Sequence, residues 1–153
     1  MFLPIISEGR ALIYTKKTKT AMRLCYDAHK GQTDKSGMPY VFHPFYVAEQ
    51  MTDEVSTVVA LLHDVLEDTP VTLAELARYG FGEDITGPLM LLMRSKGTSY
   101  FDYLRKIKND PVARAVKLAD LTHNSNLARL EKVGEKDIER QRKYARAIEI
   151  LTE

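Results

Sequence analysis

The 153-residue chain has 44% hydrophobic and 28% charged residues, the balance of a folded domain, which excludes an intrinsically disordered protein. Its 22 basic and 21 acidic side chains leave a formal net charge of +1. We therefore expect that the protein surface as a whole binds neither nucleic acid nor an anionic membrane. We expect one domain over residues 1–153, without a signal sequence or membrane span, and the single cysteine, Cys25, favours a reducing cytoplasm. The oligomeric state is left open.

Apolar residues at helical spacing predict an all-α fold of about seven or eight helices joined by short loops. The first predicted helix covers residues 11–30, and the segment 31–42, which contains glycine and proline, is predicted as a loop. Pro44 is predicted as the first residue of the next helix. Residues 54–66 are apolar around most of a helix surface, which predicts a single central helix.

The second half of the chain has clearer signals for the ends of helices. Thr72 with Glu75 is a capping-box pattern that begins a short helix ending near Gly80. Pro111 is predicted as the first residue of a later helix. The remaining predicted helices cover residues 85–93, 100–107, 112–129 and 137–151. No alternation typical of strands is present.

The segment HDVLED places ionisable side chains on a helix that is otherwise almost entirely apolar. On one helix, His63 lies over Glu67 and Asp64 lies over Asp68. Burial of such groups costs several kcal/mol unless they are paired or bind a metal ion. The alternative is a solvated face of an amphipathic helix, but the apolar neighbours leave little room for one.

Further candidate ligands lie elsewhere in the chain. Asp120 and Asn124 share a helical face and could supply a metal ligand and a substrate hydrogen bond, or form a surface pair. His123 is a rival ligand, and His29 lies near the end of the first predicted helix. His43, just before a proline, is expected to pack or to cap a helix start. Histidine and carboxylate donors without thiolates predict a hydrolytic metal centre and favour Mn²⁺, with iron and zinc left open.

Basic side chains flank this candidate centre. Lys19, Arg23 and Tyr26 recur at helical spacing on the helix that carries His29, and Lys117 precedes Asp120 on another helix. Cations beside a metal ion suit a phosphate substrate, and a tyrosine ring can stack on a base. The alternative is that these are ordinary solvated side chains on amphipathic helices.

Three segments, AHKGQTDKSGMPYVFHP, ALLHDVLEDTPVT and VKLADLTHN, resemble the signature blocks of the HD-type hydrolase domain of the RelA/SpoT alarmone enzymes. The similarity is to small stand-alone forms such as the animal Mesh-type ppGpp hydrolases. The resemblance implies an all-helical HD fold, one divalent metal ion, typically Mn²⁺, and no room for a synthetase domain. It implies removal of the 3′-pyrophosphate from ppGpp or pppGpp, which gives GDP or GTP and pyrophosphate.

The resemblance also implies roles for individual residues. The implied metal ligands are His29, His63, Asp64 and Asp120. The implied catalytic groups, which orient and deprotonate the attacking water, are Glu67 and Asp68. The implied nucleotide contacts are Asn124 and, in the pocket for base and ribose, Tyr26.

The chain departs from the family pattern in two places. Asp34 and Lys35 precede a Ser-Gly pair where the family commonly has Arg-Lys. Many members place a basic residue on the guanine nine or ten positions before the first ligand histidine, and counting from His29 gives Thr20 and Lys19. Neither departure touches the implied metal ligands, so the first alternative keeps the metal ion and changes the substrate to another 3′-phosphorylated nucleotide, such as an adenosine analogue or NADPH. A non-catalytic nucleotide-binding domain is the last alternative, because the implied ligands and Glu67 with Asp68 are all present.

Overall fold

A computed structural model describes residues 10–153, and the expectation about a signal or membrane segment falls partly on residues 1–9, outside the described part. The helices are α1 (Lys16–Ala28), α2 (Phe42–Glu49), α3 (Glu54–Leu62), α4 (Val65–Asp68), α5 (Leu73–Arg78), α6 (Glu83–Leu92), α7 (Tyr100–Lys108), α8 (Pro111–Asn124) and α9 (Glu135–Thr152), with a 3₁₀ helix at Leu127–Arg129. Within residues 10–153 the only β pairing is an isolated bridge between Thr33 and Pro39. The all-α prediction is confirmed.

Side-chain caps explain where several helices begin. α1 begins later than predicted because the Thr15 hydroxyl accepts a hydrogen bond from the backbone N–H of Thr18 at 3.1 Å. The predicted capping box begins α5: the Thr72 hydroxyl accepts from the Glu75 N–H, and the Glu75 carboxylate accepts from the Thr72 N–H. Pro111 is the first residue of α8, as predicted.

The segment predicted as one helix over 54–66 forms two helices, because the chain turns at His63 and Asp64. α3, before this turn, is buried along residues 56–62 and packs against α1, α2, α6 and α8. A helix enclosed on every side cannot continue into four ionisable groups without burying them all. The turn therefore separates the apolar central helix from the acidic α4.

Two other predicted helices have different ends in the structure. α8 ends at Asn124 and does not reach residue 129, because the Asn126 side chain caps the 3₁₀ helix through the Ala128 N–H. α2 begins at Phe42, so Pro44 lies in its first turn, where a missing N–H costs no intrahelical hydrogen bond. His43 is therefore a residue of α2.

One hydrophobic core joins helices from both ends of the chain, with Ala21 of α1, Leu61 of α3, Leu121 of α8 and Leu151 of α9 all buried. No helix in residues 10–153 has both the length and the apolarity that spanning a bilayer requires.

Four side chains with an imidazole or a carboxylate are buried in the described part: His29, His43, His63 and Asp120.

Candidate metal centre

Three of these buried side chains converge from three helical segments. His43 comes from α2, His63 from the end of α3 and Asp120 from α8, and each offers one ligand atom within 4.8 Å of the others. His43 Nε2 is 2.9 Å from Asp120 Oδ1, and His63 Nε2 is 3.8 Å from the same oxygen. Among the described residues this group could hold a metal ion, and its nitrogen and oxygen donors are of the predicted kind.

Asp64 lies beside this group. Its Oδ2 atom is 3.1 Å from His63 Nε2 and 3.8 Å from His43 Nε2. The hydroxyl of Tyr40 donates a hydrogen bond to the same oxygen at 2.5 Å, which fixes the carboxylate. Asp64 can thus serve as a fourth ligand with a small change of its side chain.

The imidazole of His63 is oriented as a metal ligand would be. Its Nδ1–H donates to the backbone carbonyl of Ala60, so the lone pair belongs to Nε2. Nε2 is buried and makes no aligned hydrogen bond, although Asp64 and Asp120 are close to it. A cation between this nitrogen and the two carboxylates would satisfy it, so the residues present fit a metal ion.

The charges around the centre favour a cation. Burial acts to lower the pKa of His63, but Asp64 and Asp120 outweigh it and raise that pKa well above its ordinary value. Burial acts to raise the pKa of Asp64, but His63 lowers it to about 2. Asp120 is likewise held ionised despite burial, mainly by Lys117 and His43. Two carboxylates that stay ionised, the buried Asp120 and the half-buried Asp64, suit a divalent cation in place of the His63 proton.

Lys117 and Asn124 orient the Asp120 carboxylate. The Lys117 ammonium donates to Asp120 Oδ2, and the Asn124 amide donates to Oδ1, both at 2.8 Å. Burial disfavours the charge on Lys117, but Asp120 outweighs this effect and raises the pKa of the ammonium. The cation predicted to bind substrate thus already has an anionic partner in the structure.

Replacing Lys117 with methionine should lower the free energy of unfolding of the metal-free protein by about 3 kcal/mol, measured by urea denaturation. The change leaves the buried Asp120 carboxylate without its cation, while hydrogen bonds from His43 and Asn124 limit the loss. Lys35→Met is the control, because the Lys35 side chain is 59% exposed and its nitrogen is 3.9 Å from Asp137. That control should lose less than about 1 kcal/mol, and equally small losses in both variants would contradict the structural role of Lys117.

The two predicted catalytic carboxylates lie on α4. Glu67 Oε1 accepts a hydrogen bond from the backbone N–H of Arg94 at 3.0 Å, which ties α4 to the segment after α6. The carbonyl of Asp68 accepts from the side-chain amide of Gln32 at 2.9 Å. Both residues are exposed, and the partial burial of each carboxyl group, followed by the charge of Asp64, raises its pKa.

The structure brings His43, and not His29, into the group of candidate ligands. His29 is buried, its Nδ1 is 2.8 Å from Gln32 Oε1, and its Nε2 has no hydrogen-bond partner. From the sequence, His43 is predicted to pack or to cap a helix start, because a proline follows it. The signal that could have identified it is its apolar setting between Phe42 and Pro44, where the burial argument used for His63 applies equally.

A cleft of about 490 Å³ opens beside the centre. His43 and Asn124 line it together with Asp34, Lys35 and Arg129. Asn124 is thus the predicted substrate contact that reaches the cleft. Counted back from His43 in place of His29, the ninth and tenth positions are Asp34 and Thr33, and neither residue is basic.

The substrate contacts that were predicted on α1 do not lie in the cleft beside His43. Lys19, Arg23 and Tyr26 are exposed, and none of them lines the cleft beside His43. Arg23 lines a separate groove together with Glu75 and Arg78. The structure therefore does not bring this basic stripe together with the candidate metal ligands.

His123, the rival ligand, lies behind His43. Its Nδ1 is 2.7 Å from His43 Nδ1, and it is not one of the three residues that could share an ion. Burial, followed by the charges of Arg129 and His43, lowers the pKa of His123 to about 4, which keeps its ring neutral.

No family model matches the chain. It is 36% identical over 124 residues to the bifunctional (p)ppGpp synthase/hydrolase SpoT of Escherichia coli K12, a match that covers 71% of this chain and 18% of that protein. It is 34% identical over 149 residues to the guanosine-3′,5′-bis(diphosphate) 3′-pyrophosphohydrolase of Spiroplasma citri, with 86% and 19% covered. The chain thus spans less than a fifth of the length of these curated relatives.

A solved structure of a metazoan ortholog of SpoT that hydrolyses ppGpp has a similar fold, with a TM-score of 0.74 and 23% sequence identity. The match covers 92% of this chain and 88% of that chain. The sequence matches and the shared helical fold confirm the resemblance to the RelA/SpoT type of HD domain that the three sequence blocks indicated.

Proposed function

We propose that this chain, an HD-type domain of the kind found in RelA/SpoT enzymes, hydrolyses ppGpp or pppGpp to GDP or GTP and pyrophosphate. The observation that carries the proposal is the convergence of His43, His63 and Asp120 beside a cleft of about 490 Å³. The names of the relatives support the substrate class, since they act on guanosine 3′,5′-bis(diphosphate). The reaction breaks a P–O bond with water, for which a divalent cation and a proton acceptor suffice.

For the metal site we propose His43, His63, Asp64 and Asp120 as ligands and Mn²⁺ as the ion. A cation held there would withdraw charge from the phosphate oxygens and acidify the attacking water. His29 was the first ligand in the set that the sequence resemblance implied. We leave it out because its Nδ1 contacts Gln32 and because it is not in the converging group.

For the substrate we propose that the cleft beside His43 binds the nucleotide. Lys35, Arg129 and Arg140 line it, and these three cations outnumber the two carboxylates of the cleft, Asp34 and Asp137, with which they form ion pairs at 3.3–3.9 Å. The cleft therefore has an excess of positive charge for an anionic ligand. Arg129 is held in place by the His123 carbonyl at 3.1 Å and by Asn124 Oδ1 at 3.3 Å. The roles predicted for Lys19, Arg23 and Tyr26 remain predictions, and they require a substrate that reaches the exposed face of α1.

For the proton transfer we propose Glu67 and Asp68. Both pKa values are raised by partial burial and by the charge of Asp64, so one of these carboxylates can take a proton from water and the other can orient that water. Lys117 contributes through Asp120, whose second oxygen it holds. Lys117→Met is accordingly expected to change kcat or KM without removing the metal ion.

We also propose a cytoplasmic location. Cys25 is a free buried thiol, and burial, with a smaller contribution from Asp64, raises its pKa to about 12. A protonated, enclosed thiol of this kind serves packing and needs no oxidising compartment.

The function is tested by incubating the purified protein with Mn²⁺ and a panel of 3′-phosphorylated nucleotides, followed by identification of the products. We expect ppGpp to give GDP and pyrophosphate, and a His63→Ala variant to be inactive. Faster turnover of NADPH or of an adenosine analogue would replace the guanosine substrate with that nucleotide. Binding without turnover of any nucleotide would favour the non-catalytic alternative.

A further inference from the structure

His43, His123 and Tyr46 form a continuous row of aromatic rings that runs outward from the candidate metal centre. The Tyr46 ring lies over the His123 ring, with centroids 4.0 Å apart and planes 16° apart. The His123 and His43 planes differ by 13°, and their Nδ1 atoms are 2.7 Å apart, so the two imidazoles meet at their Nδ1 edges. His43 then reaches Asp120 with its other nitrogen, Nε2.

We propose that His123 is a positioning residue: it accepts a hydrogen bond from His43 Nδ1–H and thereby leaves the lone pair of His43 on Nε2, facing the metal ion. A short contact between two imidazole nitrogens needs one donor and one acceptor. Without a cation, the 2.9 Å contact between His43 Nε2 and the Asp120 carboxylate is a hydrogen bond that Nε2–H donates. If His43 Nε2 binds a cation instead, the hydrogen of a neutral His43 ring must be on Nδ1, so His123 Nδ1 must accept it. The inference rests on the metal site of the proposed function.

Other contacts hold His123 where this role requires it. Its backbone carbonyl accepts from the Arg129 guanidinium at 3.1 Å and from the Asn126 N–H at 3.2 Å, at the carboxyl end of α8. The phenol ring of Tyr46 covers one face of its imidazole. His63 has a similar outer partner, the Ala60 carbonyl, so each of the two histidines of the centre has its Nδ1 fixed by a separate group.

Two substitutions separate the hydrogen bond from the packing. His123→Phe keeps a ring that can stack on Tyr46 but removes the acceptor, whereas His123→Asn keeps an oxygen near the position of Nδ1 and removes the ring. We expect Mn²⁺ affinity, measured by titration calorimetry, to fall about 10–100-fold in His123→Phe, the usual effect of losing an outer partner of a ligand. In His123→Asn it should stay within about threefold, because the acceptor is retained.

If His123 acts only by packing against its neighbours, the loss of Mn²⁺ affinity should be larger in His123→Asn than in His123→Phe. The inference is overturned by that order, or by unchanged affinity in His123→Phe while wild type binds Mn²⁺. If wild type binds no Mn²⁺, the proposed metal site itself is wrong, which is a distinguishable result. Circular dichroism identifies any variant that has not folded. If one variant is unfolded, the Mn²⁺ affinity of the other variant decides between the two roles.

The hydrogen position is also directly measurable in wild-type protein. In protein loaded with diamagnetic Zn²⁺, ¹⁵N nuclear magnetic resonance of the imidazoles should show His43 protonated at Nδ1 and bound through Nε2. The same spectrum should show His123 without a hydrogen on Nδ1. A His43 ring bound through Nδ1, or a His123 ring protonated at Nδ1, overturns the inference whatever the enzyme activity.

Discussion

His43→Ala should weaken Mn²⁺ binding by more than about 100-fold, beyond the usual effect of removing an outer partner of a ligand, and should abolish hydrolysis. The change removes one of the three donors that converge within 4.8 Å and leaves the Asp120 carboxylate without the 2.9 Å contact from His43 Nε2. The measurement is titration of the metal-free protein with Mn²⁺ by calorimetry, with thermal unfolding in parallel to establish that the variant is folded.

His29→Ala is the matched control for this experiment. His29 and His43 are both buried, so each substitution removes the same side chain from an enclosed position. We expect His29→Ala to lose less than about tenfold in Mn²⁺ affinity, the lower end of the effect of residues outside the ligand set. The opposite pattern, with the large loss in His29→Ala, would restore the ligand set that the sequence resemblance implied.

Glu67→Gln should lower kcat by about 10²–10⁴-fold, the usual contribution of a positioned proton acceptor, and should leave Mn²⁺ binding nearly unchanged. The pKa of Glu67 is raised by the partial burial of its carboxyl group and by the nearby acids Asp64 and Asp68, which suits a group that takes a proton from water. The glutamine amide oxygen can still accept from the Arg94 N–H, so the contact between α4 and the segment after α6 is kept.

Glu139→Gln makes the same chemical change at an exposed position on α9 and should leave kcat unaltered. The readouts for both variants are kcat with saturating ppGpp and the Mn²⁺ content of the purified protein. Activity of Glu67→Gln within a few-fold of wild type would remove Glu67 from the proton transfer. Loss of the metal ion would instead make Glu67 a ligand.

The features that could be predicted from the sequence are those that depend on interactions between residues a few positions apart in the chain. The capping box of Thr72 with Glu75 and the position of Pro111 depend on a few neighbouring residues, and both are found as predicted. The four-residue spacing of Asp120 and Asn124 likewise holds within α8, where Asn124 donates to Asp120.

The choice between His29 and His43 was not predictable in the same way. Both histidines lie in one sequence block, and only the packing of α2 against α8 brings His43 Nε2 to Asp120. The turn at 63–64 was missed for a related reason, since helical periodicity continues through it and only the burial of α3 on all sides requires the break. Long-range packing decides both features.

The three converging residues belong to α2, α8 and the end of α3, and His43 and Asp120 are 77 positions apart in the chain. An ion held there acts as a cross-link, because unfolding must separate its ligands and release it. The folded state then gains RT ln(1 + [M]/Kd), about 2.7 kcal/mol at a free ion concentration of 100 Kd. The midpoint of thermal unfolding would therefore rise with the free ion concentration. In a cell with little free metal ion, the protein would be both less active and easier to unfold.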